Sequence, residues 1–178
     1  MLVARPAKRD AGTPKKDILF EIVEGEAAIG RFAFGIDTMR GTITLAGKAY
    51  DVAHTGELRN EMLHEALIRS FRGGEKPRNV WNLSDEAGRI VALGERTGER
   101  FVISRGGERF SFRRKGWPYH LYRDGSESSL GFVGQRKFFT RLLHMDLPEE
   151  FDRPFQVFLL VLLLSLSLQN LESLTRSR

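Results

Sequence analysis

Five aromatic rings alternate with cations in RFSFRRKGWPYHLYR, Arg109–Arg123. Phe110, Phe112, Trp117, Tyr119 and Tyr122 supply the rings; Arg109, Arg113, Arg114, Lys115 and Arg123 supply the charge. This mixture suits an anionic partner. Against a membrane, the cations would meet headgroups while the indole sat at the interface. Against single-stranded nucleic acid, the cations would track phosphate and the rings would stack on bases. The alternation of Phe110 and Phe112 also suits a hairpin whose rings pack inward and whose arginines are solvated. The contact surface expected from the sequence is therefore the turn, Arg113, Arg114, Lys115 and Trp117. The RNA-binding fingerprint is not met, because Pro118 interrupts Lys115-Gly116-Trp117-Pro118.

Other candidate chemistry is thinner. His64-Glu65 opens like the zinc-protease motif HExxH, but the fifth residue is Ile68. His54, His120 and His144 fall in three separate predicted strands, with no metal-ligand spacing between them. His144 lies near Asp146, yet no nucleophile accompanies them. No nucleophile elbow, phosphate-binding loop or dinucleotide fingerprint occurs. The chain has no cysteine, which removes thiol catalysis, disulfides and iron–sulfur clusters. A non-enzymatic protein without metal or cofactor is expected.

The elements that must carry these residues are mostly strands. Alternating or apolar runs occur at Ile18–Val23, Ile29–Phe34, Thr42–Leu45, Lys48–His54, Val80–Leu83 and Arg89–Gly94. They continue at Arg100–Ser104, Arg109–Arg114, His120–Arg123, Ser129–Gly134 and Phe138–His144. Ala46-Gly47, Gly106-Gly107 and Asp124-Gly125 supply turn chemistry between them. A faint echo links AAIG, Ala27–Gly30, with SSLG, Ser128–Gly131, each after an acidic turn. From Thr55 to Phe71 the period changes: Leu58, Met62, Leu63, Ala66, Leu67 and Phe71 make one face of an amphipathic helix. There is no βαβ rhythm, so a nucleotide-binding α/β fold is not expected.

The 28 basic and 23 acidic residues are unevenly spread. Residues 1–16 hold five basic side chains and one acid, with two prolines, and read as a basic disordered tail. Residues 17–178 hold 23 basic and 22 acidic and read as one domain. With no secretory apolar stretch at the start, the expected location is cytoplasmic, peripheral to the membrane if the basic turn is used.

The longest apolar run is FQVFLLVLLLSLSL, Phe155–Leu168, with eleven large apolar residues in fourteen. At about 100° per residue, Gln156 and Ser167 fall together and Ser165 nearly opposite, so no polar face forms. Such a helix must be surrounded by protein or lipid. Fourteen residues reach about 21 Å against a hydrocarbon core of about 30 Å, which favours a buried core helix over a tail anchor. A helix over about 149–170 is expected, started by Glu149-Glu150, with Phe155, Phe158, Leu159, Leu162, Leu163 and Leu166 as its core contacts.

Strands followed by LLHMDLPEEFDRPFQVFLLVLLLSLSLQN, Leu142–Asn170, resemble the end of the tubby C-terminal-like superfamily, which includes the LURP-one-related proteins and the phospholipid scramblases. The matching features are a last strand, the Leu147-Pro148 break, an acidic lead-in and the apolar helix, with short strands and turns from about Trp81 onward. The resemblance implies a closed antiparallel β-barrel of up to twelve strands around a central hydrophobic C-terminal helix. It also implies a role at anionic lipid, but no headgroup-binding residue of the family maps onto a position here. The resulting expectation is a mainly β, scramblase-like or LURP-one-related barrel that binds anionic lipid headgroups or a membrane-associated protein. A tail-anchored protein spanning with 155–168 is one alternative, and a single-stranded nucleic-acid binder using 109–123 is the other.

Overall fold

A computed structural model describes residues 1–8, 17–35, 38–54, 79–116, 118–135 and 142–176, with side chains as far as Leu166 in the last helix. Twelve strands follow one another: β1 (Leu2–Pro6), β2 (Asp17–Glu24), β3 (Ala27–Gly35), β4 (Arg40–Leu45), β5 (Lys48–His54), β6 (Val80–Ser84), β7 (Ile90–Thr97), β8 (Arg100–Arg105), β9 (Glu108–Arg114), β10 (Tyr119–Arg123), β11 (Ser129–Gly134) and β12 (Leu143–Asp146). The helix α1 (Arg153–Arg176) comes last. Each strand pairs antiparallel with its neighbour in the chain, and β1 pairs with β12, so the sheet closes into a barrel without an edge. The amphipathic helix expected over 55–71 lies outside the described residues.

Closure corrects the expectation of a disordered tail for residues 2–6, while residues 9–16 lie outside the described residues. Leu2, Val3 and Ala4 face Met145, His144 and Leu143 on β12, while Leu2 to Pro6 run along Glu24 to Phe20 on β2. Leu2 and Ala4 are fully buried. Five residues with one large inward side chain carry too little pattern to be read as a strand. Two flanking strands supply what the local sequence lacks. Arg5 on the outer side pairs with Glu21 of β2 at 2.6 Å, so part of the supposed tail charge is spent inside the sheet. At the other side of the seam, the last strand is Leu143–Asp146, later than the expected Phe138–His144. Leu143 and Met145 alternate into the core there.

Inward positions along the strands are apolar, many of them aromatic: Phe32 and Phe34 on β3, Trp81 and Leu83 on β6, Phe101 and Ile103 on β8, Phe110 and Phe112 on β9. Period-two alternation puts them on one face. They enclose α1, in which every residue from Phe155 to Leu162 is at most 1% exposed, Gln156 included. Leu166 is buried, and Leu163 packs half-buried against the core. The absence of a polar face is thus satisfied by a sheet on all sides. Two buried polar groups are accommodated locally. Gln156 Nε2 donates to the Phe151 carbonyl at 2.7 Å, and Ser165 Oγ donates to the Leu162 carbonyl at 2.7 Å.

The helix starts at Arg153 rather than at Glu149. Residues 149–151 form a turn in which the Phe151 amide donates to the Pro148 carbonyl at 3.1 Å. Asp152 then caps the helix, its Oδ1 accepting from the Phe155 amide at 2.9 Å. Proline in the first helical turn costs nothing, because an amide there has no partner within the helix.

The echo between Ala27–Gly30 and Ser128–Gly131 has a structural counterpart. Pairing of β2 with β3 shifts register between Ile22 and Val23, and pairing of β10 with β11 shifts between Leu121 and Tyr122. Each bulge is followed by a glycine pressed against the next strand. A Cβ on Gly30 would lie 2.1 Å from the Thr44 carbonyl oxygen, and one on Gly131 would lie 2.2 Å from that of Asp146. Glycine is the residue that allows this approach.

Candidate anion-binding surface

Strands β9 and β10 position the basic turn singled out by the sequence. Phe110, Phe112, Tyr119 and Leu121 point into the barrel, which sends Arg113 and His120 outward. The Tyr119 hydroxyl, raised in pKa mainly by burial, donates to the Glu99 carbonyl at 3.1 Å and pins the base of the turn. The turn is closed by the Lys115 amide, which donates to the Pro118 carbonyl at 3.3 Å. Arg114 Nε donates to the Gly116 carbonyl at 2.9 Å. Trp117 lies outside the described residues.

Most of the other cations near the strip are occupied at the far end of the strands. Arg123 meets Glu108 at 3.2 Å and Glu150 at 3.9 Å. Arg105 pairs with Asp152 at 2.6 Å and lies over the Phe155 ring, 4.8 Å from its centroid. At the turn the balance is different. Arg113 stacks its guanidinium over Tyr122, 4.4 Å from the ring centroid. Register places Arg100 of β8 directly opposite Arg113. Directly opposed residues have Cβ atoms about 4.5–5.5 Å apart, and like charges there destabilise a sheet. Neither arginine, nor Lys115, forms an ion pair with a described acid.

Arg100 was not among the sequence candidates. Its strand was legible, but its place beside Arg113 depends on the β8–β9 register. Arg100 stands thirteen residues from Arg113 in the chain.

The histidines do not assemble. His54 on β5 shares a 2.7 Å hydrogen bond with Asn79 and tilts against Trp81, His120 sits on β10, and His144 sits on β12 beyond the intervening β11. Among the described residues no group of three His, Asp or Glu side chains could hold a metal ion. A cleft of about 440 Å³ opens beside the start of α1, lined by Lys48, Tyr50, Asp85, Glu86, Arg89 and Asp152. Its acids are already partnered. Asp85 binds Arg89 at 2.7 Å, which holds its carboxyl below the usual range, and Glu86 accepts from the Ala49 amide at 2.8 Å.

Fold and surface together define a closed twelve-stranded antiparallel barrel wound around its own C-terminal helix, with an arginine pair on its wall that no described acid neutralises. No protein-family model, curated protein or solved structure matches the chain. Among the described residues no helix is long and apolar enough to cross a membrane.

Proposed function

We propose that this protein is a non-enzymatic, tubby-like barrel that binds anionic lipid at a membrane surface through the β9–β10 turn. The observation that carries the proposal is the arginine pair. Arg100 and Arg113 face each other, with no ion pair to any described acid, next to Arg114 and Lys115 in the chain. A local rule broken without compensation among the described residues supports compensation from a ligand. The barrel around a C-terminal helix is the architecture that the tubby-like resemblance implies, which supports the class. The run 155–168 contributes its side chains to the barrel core as far as Leu166, which favours attachment by a surface over anchoring by a span.

Co-sedimentation with acidic liposomes is the test. The wild-type chain should pellet with anionic vesicles and remain in solution with zwitterionic ones. Replacing Arg113, Arg114 and Lys115 together by alanine should weaken binding by about tenfold or more, at about 1 kcal/mol per basic residue near the surface. Unchanged binding in that triple variant removes the turn from consideration. Binding to single-stranded oligonucleotides with steep salt dependence, and none to vesicles, would favour the nucleic-acid reading instead.

A further inference from the structure

The outer face of β8–β11 carries a continuous row across the strands. Arg100 faces Arg113, Arg113 faces His120, and His120 faces Phe132. Their neighbours Phe101, Phe112, Leu121 and Val133 are buried inward, so the row points out of the barrel.

Two of its members are held in place. The Arg113 guanidinium sits over the Tyr122 ring, 4.4 Å from its centroid, which holds the group in place while its N–H groups can still reach an acceptor. The His120 ring is fixed through Nδ1, 2.9 Å from Ser129 Oγ. Ser129 Oγ also lies 3.0 Å from the Gly131 carbonyl, to which it can donate while accepting from Nδ1. In the tautomer that this arrangement suits, with the proton of the neutral ring on Nδ1, Nε2 is the nitrogen that takes up a proton in acid.

The charged and titratable groups around the imidazole are Arg113 on β9, Lys115 in the turn and Tyr122 on its own strand. One strand further lie Arg100 on β8 and Asp146 on β12, the latter opposite Phe132. Partial burial, and then Lys115, hold His120 below its ordinary pKa. An anion seated in the row would oppose both effects, since it neutralises the cations and accepts from a protonated Nε2.

We propose that Arg100, Arg113 and His120 form a seat for a phosphate group on the outer wall of the barrel, and that filling the seat places a proton on His120 Nε2. The proposal rests on the anionic-ligand reading above and adds which group is held and how its binding responds to acidity. Two arginines offer paired N–H donors to phosphate oxygens, and the imidazolium adds a third direction.

Two probes separate the possible sources of the phosphate. The first is phosphatidylcholine vesicles containing phosphatidylglycerol, whose phosphodiester keeps one charge throughout the range used. The second is glycerol phosphate in solution, followed by the His120 ring resonances. Between about pH 7.5 and about pH 5.5, wild-type binding to the vesicles should tighten about five- to tenfold. His120→Gln should lose the pH response, and Arg100→Gln should weaken binding several-fold at both pH values. Response to vesicles alone assigns the seat to a lipid headgroup; response to both assigns it to phosphate as such. Vesicle binding that stays pH-dependent in His120→Gln, or is untouched by Arg100→Gln, overturns the seat and leaves the anionic-lipid reading standing. A response to glycerol phosphate without vesicle binding keeps the seat and removes the lipid. Failure of both probes removes both.

Discussion

Arg105 and Asp152 meet at 2.6 Å where α1 enters the barrel, and the same aspartate caps the helix through its other oxygen. The guanidinium also covers the rings of Phe151 and Phe155. One carboxylate thus ties the last turn before the helix to the end of β8. Arg153, the first helical residue, adds a second tie to Glu24 on β2.

Asp152→Ala should therefore lower stability by about 1–2 kcal/mol, most of it from the lost cap. The exposed ion pair adds at most a few tenths to this. Asp152→Asn keeps a capping oxygen and should recover most of the loss. Urea unfolding of the three proteins measures the difference, and an Asp152→Asn variant no better than Asp152→Ala would assign the effect to charge.

The bulge glycines make a sharper comparison. Alanine at Gly30 or Gly131 drives a methyl into a backbone carbonyl on the adjacent strand, which cannot move without parting the ladder. At Gly94 an added Cβ meets Leu162 Cδ1, at 2.9 Å, a side-chain tip inside the barrel that can swing. Gly94→Ala should cost about 1–3 kcal/mol as ordinary overpacking. Gly30→Ala and Gly131→Ala should cost more, or leave no folded protein. Equal denaturation midpoints for the three would show that the bulges relax.

The β4–β5 hairpin holds a residue that is not the best for its place. Ala46 and Gly47 have φ of 49° and 78°, the left-handed pair of a two-residue type I′ turn. Alanine is strained in this conformation, whereas asparagine tolerates it. Ala46→Asn should raise stability by about 0.5–1 kcal/mol, and a thermal melt would show it as a small upward shift.

Much of the architecture was written in the pattern of the chain. Eleven strands announce themselves by alternation and by turn residues between them, and α1 by its lack of a polar side. The twelfth strand was hidden because Leu2 and Ala4 are too few to establish a period, and because Arg5, Pro6 and the lysines beyond give the segment a tail-like composition. The start of α1 was misplaced because Glu149-Glu150 suits a helix dipole, while the cap is supplied by Asp152 three residues later. The anion surface was half visible. Arg113, Arg114 and Lys115 are contiguous, so sequence alone groups them. Arg100, His120, Tyr122 and Ser129 join Arg113 only through pairings across β8 to β11, and register is a property of the closed sheet rather than of any one strand.

The seam between β1 and β12 bears on how the chain assembles. In the order of synthesis, β1 emerges first of all the strands, its partner β12 last, and the helix that both enclose later still. A growing chain can form the hairpins from β2 to β11 as they appear, but it has nothing to wrap around until α1 is made. The cylinder has to wait, open and with its aromatic lining exposed, for the segment that becomes its axis. Folding of this barrel is therefore expected to complete its decisive step only once α1 has been made, and to depend on a chaperone or on speed to outrun aggregation.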